Sequence, residues 1–539
     1  MIEKCRQIGK NSWNRWLYII CVLMLGLMDQ RRGSATGDVQ MMFGNLLGLV
    51  LAAMLIPSLD RKRFLCKLYA LTIPVDLAFT VILCVLGRYF FYFQNVWISG
   101  VLNFTVWMML WVYIISNRAE LRIKDKLKEP FALALMVLLV LMQLSKNGRV
   151  LPAWFLMIFV GFYLLLDRDE IPEILNSMMN GIILWFCLQQ IIAFGFRPYD
   201  YARYRGMYSG VTQNGMHYMY VFTALCLKYV MLLKKECNKL SKTLCFVMIA
   251  ALFSFTLFSG TKSALLGELV VLMVVAINML VIKIDIWYRL AVKAVMFTIC
   301  FVVMVPAVYV TVRYLPTILH HPVWFEGEYE EGRSVCSFDN WDSPKYITFQ
   351  QATEFNIGRI TTLFGLNYKE ISNWVETHFG AIRAETHFGA IRAEAAELGE
   401  PGSSPENPYA LTSEEYSGPD IARMTIWKWY AVRLNLYGHA GGGFWYDKGT
   451  YFEQAHNMLL QMAYDYGIPA GILFLLICVY SLLSILRYHE WEDIMMRVFL
   501  LPVFVFGMFD MVLVYGEMSV SIMGIMFCFI AMRNRTKLL

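Results

Sequence analysis

Long apolar runs separated by short polar connections, many of them rich in Lys and Arg, set the pattern of this chain. A helix needs about 20 apolar residues to cross a bilayer, and somewhat shorter runs are tolerated. Such runs fall at 14–29, 39–58, 68–87, 96–116, 130–146, 150–167 and 174–196. More follow at 212–233, 243–259, 263–282, 290–313, 469–487, 497–515 and 517–532. The pattern predicts an all-α integral membrane protein with about 14 transmembrane helices and one large extracytoplasmic loop before the last spans. Its divisions are an N-terminal bundle over 1–313, the loop with short surface helices over 314–468, and C-terminal spans over 469–539.

Charge orients these spans. Loops placed inside carry Arg61, Lys62, Arg63 and Lys67, then Arg118, Arg122, Lys124, Lys126 and Lys128. Lys234, Lys235, Lys239 and Lys242 follow, and Arg533, Arg535 and Lys537 close the chain. The short outside loops are poorer in Lys and Arg, and Tyr89–Trp97 forms an aromatic belt there. An even number of spans puts both termini in the cytoplasm, in a multi-pass protein of the cytoplasmic membrane.

Composition agrees with that class. The chain is 58% hydrophobic and only 16% charged, and its mean hydropathy is +0.51. The net charge of +6 sits in short clusters between spans, which is orientation signalling and not a nucleic-acid surface. Of the 12 cysteines only Cys336 lies in the large hydrophilic segment, so that segment holds no internal disulfide. The first apolar run lacks a small-residue cleavage site and reads as an uncleaved span.

Two outer loops depart from the charge pattern. One, Arg197–Tyr218, holds Arg203, Arg205 and Asn214; the other is the short turn Ser259-Gly260-Thr261-Lys262-Ser263. Each alone reads as a juxtamembrane loop with snorkelling or solvated cations. Within the spans Asp76, Glu268 and Asp510 are ionisable, and such groups face a bundle interior or a wet cavity. They suit the coupling site of a transporter or the internal pairing of an enzyme.

The large loop begins irregularly. Its acidic run, Glu326, Glu328, Glu330 and Glu331, lacks the pattern of a calcium loop and reads as solvated. THFGAIRAE occurs twice over 377–394, a local duplication that makes His378 and His387 poor catalytic candidates. A flexible Glu-, Pro-, Ser- and Gly-rich link runs on to Pro419.

Chemistry concentrates at 420–474. Asp420–Leu436 reads as a helix with Arg423, Trp427, Tyr430 and Leu434 on one face. A glycine-rich turn, His439–Gly443, follows, and a second helix begins near Ala455 with His456 and Asn457 in its first turn. Gly467 and Pro469 end that helix too soon for a span, so it lies at the outer surface and the true span starts near Pro469. The plain alternative for His456 and Asn457 is a helix N-terminus satisfying its own backbone groups.

Arg203, Arg205, Lys262, Arg423, Arg433 and His456 thus share the outer face. Convergent cations at a membrane surface suit a lipid-linked phosphate or diphosphate. A histidine at a helix N-terminus suits a general base. These parts fit transfer of a sugar chain from a polyprenyl-diphosphate carrier to an acceptor hydroxyl. Cations would stabilise the departing diphosphate, with no metal or other cofactor needed.

The pattern of Arg423 and Trp427, Gly438, Gly441–Gly443, His456-Asn457, Gly467 and Gly471 resembles the O-antigen ligase and O-antigen polymerase superfamily. Upstream, Arg203-Tyr204-Arg205-Gly206 with Asn214, and Ser259–Ser263, resemble that family's outer motifs, although Lys262 stands where the family has arginine. The likeness spans about 196–475. It implies a membrane glycosyltransferase of O-antigen, capsule or exopolysaccharide synthesis, with His456, Arg205 and Arg423 catalytic. Arg203, Lys262, Asn214, Asn457 and Arg433 would bind substrate. The implied partners are a polyprenyl-diphosphate-linked glycan donor, a glycan or lipid acceptor and membrane lipid, and no nucleic acid. His439 carries no role in this reading. Two other classes remain: a transporter or flippase of lipid-linked oligosaccharide, and a non-catalytic assembly protein using 314–455 as a binding module.

Overall fold

The computed structural model describes residues 123–147, 151–164, 166, 168–196, 199–200, 203–204, 211–234, 238–318, 419–440, 444–446, 450–452, 454–487, 490–510 and 518–538. The four spans expected before residue 117, with Asp76 and the aromatic belt, lie outside the described residues, as do the acidic run and the tandem repeat.

The described chain is helical apart from two short hairpins. Its helices are α1 (Ile123–Lys126), α2 (Pro130–Leu144), α3 (Leu151–Phe159, continued as a π-turn to Leu164) and α4 (Ile171–Phe196). After the hairpin β1 (Tyr199–Asp200) and β2 (Arg203–Tyr204) come α5 (Val211–Lys234), α6 (Lys239–Ser259), α7 (Lys262–Val281) and α8 (Trp287–Ile318). The C-terminal part holds α9 (Pro419–Ala431), the hairpin β3 (Phe444–Tyr446) and β4 (Thr450–Phe452), and α10 (Met458–Tyr466). It closes with α11 (Ile468–Arg487), α12 (Trp491–Phe509) and α13 (Met518–Leu538). Five of these, α5 to α8 and α11, are long and apolar enough to cross a membrane.

Local chemistry sets the ends. Glu129 caps α2 through Ala132 N, with Pro130 at the first helical position, where a missing N–H costs nothing. Asn238 caps α6, and Gly260, at φ +65°, ends it in the left-handed region. The turn to α7 is therefore the tight hairpin that Ser259–Ser263 predicts.

One large core, rich in Phe, Tyr and Met, runs through α2–α8 and α10–α13. Small residues let the helices close on one another. A Cβ on Gly267 would stand 2.3 Å from Met219 Sδ, so α7 lies hard against α5. On Gly471 it would stand 2.5 Å from Ala463 Cβ, so α11 folds back tightly on α10.

Two polar ends result. At one, Arg533 pairs with Asp493 and also donates to Ser484 O and Oγ. There Arg497 reaches Ile485 O and Asn278 Oδ1, and Lys234 lies 5.2 Å from the Trp491 ring centre. The other end, roughly 25 Å away along α12, holds Asp510 and the candidate site.

Three boundaries that bear on the site differ from the sequence expectation. The run expected to span at 497–515 falls in the helix α12, Trp491–Phe509, which is not one of the five long and apolar enough to cross a membrane. Its opening turn carries Glu492 and Asp493, and a hydropathy window rejects them. Asp493 is buried against Arg533, which keeps it inside the helix. That shift moves Asp510 from mid-span to the helix exit. The helix expected over Asp420–Leu436 stops at Ala431, where the chain turns toward Gly438. The helix expected from Ala455 begins at Met458, with Asn457 as its cap.

Candidate functional site

The site gathers where α5, α7, α10 and α12 end. Asn457 Oδ1 accepts from Leu459 N and Leu460 N, both at 3.1 Å, which caps α10. Its Nδ2 donates to Met508 O at 3.2 Å and fastens α10 to the last turn of α12. The plain reading of Asn457 as a helix cap thus holds for that side chain. His456 just before it is different. Its φ is +49°, a left-handed conformation that costs a non-glycine residue about 1–3 kcal/mol.

That backbone aims the imidazole at α12. His456 Nδ1 lies 3.3 Å from Asp510 Oδ1, and the His456 side chain is 35% exposed. The other oxygen, Asp510 Oδ2, accepts from Ser263 Oγ at 3.2 Å. In the neutral ring, a carboxylate facing Nδ1 favours the tautomer with its proton there, which leaves Nε2 as the acceptor. Sequence reasoning took Asp510 as a bundle residue and gave it no part beside His456. Asp510 is instead the C-cap of α12, a position that no residue pattern around it in the sequence announces.

Ser263 follows Lys262, the exposed first residue of α7. The same turn touches α5: a Cβ on Gly215 would meet Thr261 Cβ at 2.4 Å. Asn214, wholly buried, donates from Nδ2 to Tyr204 O at 3.1 Å and holds the hairpin that carries Arg203. Tyr204 Oη donates to Gln190 Oε1 at 3.3 Å and fixes the hairpin to α4. Tyr204 and Asn214, the Ser259–Ser263 turn and the His456-Asn457 pair are thus neighbours at one end of the bundle. Arg205 and the side chain of Arg203 lie outside the described residues.

Behind His456 stands a polar ladder that the sequence did not reveal. Ala455 N donates to Gln461 Oε1 at 2.7 Å, and Gln461 Nε2 donates to Asp465 Oδ2 at 2.9 Å. Burial pushes the Asp465 carboxyl up to about 7, and the Gln461 bond offsets part of that. On the far side of Tyr464, His439 stacks on the ring at 3.9 Å between centroids, and His439 Nδ1 lies 2.9 Å from Tyr464 O. His439 therefore has a structural position, where the sequence offered none.

The helix α9 packs over this base. Ile426, Tyr430, Ala455 and Tyr464 form a small apolar cluster beside Trp427, Trp429, Leu434 and Leu460. Arg423 is partly buried on α9. Arg433 is exposed, its guanidinium 4.1 Å from the Trp429 ring centre and donating to Trp429 O at 3.1 Å. Those contacts tie Arg433, just past the end of α9, back to Trp429 on that helix and not to His456. Among the described residues no three His, Cys, Asp or Glu side chains come together as a metal site.

Comparison of the chain with protein-family models, with curated proteins and with solved structures returns no match.

Proposed function

We propose that this chain is a membrane glycosyltransferase that transfers or polymerises polyprenyl-diphosphate-linked oligosaccharide onto an acceptor hydroxyl, as an O-antigen ligase or polymerase does. The observation that carries this reading is the line Lys262–Ser263–Asp510–His456, assembled from three separate segments at one end of a bundle of apolar helices. A partly exposed histidine with a carboxylate on Nδ1 presents Nε2 to a substrate hydroxyl.

In this mechanism Nε2 of His456 takes the proton of the acceptor hydroxyl as its oxygen attacks the anomeric carbon. The bond from that carbon to the carrier's diphosphate breaks, and the diphosphate leaves with the electron pair. Asp510 stabilises the imidazolium that forms. The cations assigned to the charge developing on the leaving group are Lys262, Arg203, Arg205 and Arg423. A diphosphate leaving group at a membrane surface is what a cluster of fixed cations serves best.

The test is complementation with His456→Ala and Asp510→Asn, scoring polymer length and the carrier-linked species, with insertion checked for both. Accumulated single repeat units identify a polymerase; normal chains retained on the carrier identify a ligase. Wild-type behaviour of His456→Ala removes the assignment and moves a transporter or flippase to the front.

A further inference from the structure

Glu268 is wholly buried on α7, about 9 Å along the helix from Lys262, and has no part in the site described above. Both α7 and its neighbour α6 are long and apolar enough to cross a membrane. A carboxyl so placed faces a bundle interior. Its hydrogen bonds show the form in which it stands there.

Glu268 Oε1 lies 2.6 Å from Thr256 Oγ1 on α6, and the same hydroxyl lies 3.2 Å from Leu252 O. A threonine hydroxyl has one proton to give, and a carbonyl oxygen only accepts. Both contacts are hydrogen bonds together only when Oε1 carries a proton and donates it to Thr256, which donates onward to Leu252 O. The other oxygen, Oε2, is buried and has no hydrogen-bond partner among the described residues. As the carbonyl of a neutral acid it is tolerable there. An ionised carboxylate would leave charge bare in the core, at far higher cost.

The surroundings do not offset such a charge. α7 packs against α5, α6 and α12. On α12, Asp510 is engaged by Ser263 and Arg497 by Asn278, about 8 and 15 Å along α7 on opposite sides of Glu268. On α5, Lys228 donates to Asn176, and Cys226 is within electrostatic range of Glu268. His217, Tyr218 and Tyr220 of α5 and Cys245 of α6 are buried in the same core. Among the described residues Glu268 forms no ion pair with any of these.

Polar atoms lead from this carboxyl to the end of the bundle that holds His456. Ser259 Oγ donates to Thr256 O at 2.7 Å, and Thr261 N donates to Ser259 Oγ at 3.3 Å. Two residues on, Ser263 bonds to Asp510. Thr256, Ser259 and Thr261 are all buried, so a polar seam runs through an otherwise apolar pair of helices.

We propose that Glu268 is a proton-binding site within the bundle, reached from the His456 end by way of Ser259 and Thr256. With its proton Glu268 ties α7 to α6 just below the Ser259–Ser263 turn. Without it, a bare charge faces the core and that tie weakens. The turn that sets Ser263 against Asp510 thereby answers to the pH on its own side of the membrane.

The test uses the full chain in phosphatidylethanolamine–phosphatidylglycerol vesicles with dicyclohexylcarbodiimide, an apolar reagent that reacts with a carboxylic acid and not with a carboxylate. The acid's proton passes to a reagent nitrogen and its oxygen bonds to the central carbon. Shift of the acyl group to nitrogen then leaves an N-acylurea, with no atom lost. Mass spectrometry of the Glu268 peptide reads the adduct. Label is expected at about pH 6 and should fall roughly tenfold or more by about pH 10. When the two sides of the membrane are set to different pH, it should follow the His456 side. Glu268→Gln keeps a donor for Thr256 and should insert normally with no label in that peptide. Absence of label at about pH 6 in the inserted wild-type chain overturns the proposal. Label constant to about pH 10 shows a fixed structural proton and overturns the exchanging site. Label that follows the opposite side overturns the route, and label suppressed by sodium at constant pH makes this a metal-cation site instead.

Discussion

His456 and Asp510 stand 54 positions apart in the chain and 3.3 Å apart in the fold, imidazole Nδ1 to carboxylate Oδ1. The contact needs α10 capped by Asn457 onto Met508 O, so that the two helix ends meet. It also needs His456 at φ +49°. A backbone held off its ordinary minimum, with a polar pair as the result, marks the place where the fold accepts a cost for geometry.

Asp510→Asn keeps the shape and removes the charge. If Asp510 orients and stabilises the His456 ring, transfer should fall by a factor of roughly 10–100, the rate equivalent of a charged hydrogen bond of about 1.5–3 kcal/mol. The kcat against KM split checks it: a loss confined to kcat fits the role, and a loss confined to KM does not. Ser263→Ala should give a smaller change in the same direction, because it leaves the His456–Asp510 contact in place.

Asp465 ties stability to pH. Its carboxyl is pushed up to about 7 by burial, from an ordinary value of 3.8. Between those values the folded chain holds a proton that the unfolded chain has released, so stability falls as pH rises from about 4 to about 7 and then levels. The effect over the whole window is at most about 4 kcal/mol. Thermal unfolding in detergent at pH 5 and pH 8 measures it, and Asp465→Asn should flatten the difference while keeping an acceptor for Gln461. An unchanged slope in Asp465→Asn would refute the assignment.

Gly438 and Gly467 hold α9's exit against α10's end. Their φ values are +73° and +93°, and a Cβ would stand 2.1 Å from Asp465 O and 2.3 Å from Leu436 O respectively. Alanine at either position forces both a strained backbone and a backbone collision, a loss of about 2 kcal/mol or more. Melting temperature reads the change, and Ala440→Ser, at an exposed residue of the same turn, serves as the control that should leave it unmoved.

Arg533 and Asp493 are almost fully buried, with side chains 3% and 1% exposed. Removing one partner leaves a charge in the interior, so Arg533→Ala should destabilise by about 3–5 kcal/mol. Arg533→Met with Asp493→Leu should recover much of that loss. Equal destabilisation by the single and double replacements would show that the pair does not act as a unit.

The sequence by itself determined the helical class, the apolar helices from residue 130 onward, five of them long and apolar enough to cross a membrane, and the short helix before α11, because bilayer length, hydropathy and helix breakers act locally. It also marked the Ser259–Ser263 turn, since Gly260 and its flanking hydroxyls specify a hairpin within a few residues. Likewise Asn457 was legible as a helix-start residue. What only the tertiary structure decided was which of these ends meet. Asp510 joined His456 because α12 ends at Phe509 and Asn457 fastens α10 to that last turn, while at the other end Asp493 is held inside the helix by an ion pair with Arg533, 40 residues away in sequence. A window that scores charge as a mark of exposure cannot see a charge whose partner arrives from another helix. The same holds for Asn214, whose buried amide holds the hairpin of Tyr204, and for His439, which gained its place from Tyr464 across a turn. Local pattern wrote the elements, and pairwise contacts between distant, sterically matched ends chose the site.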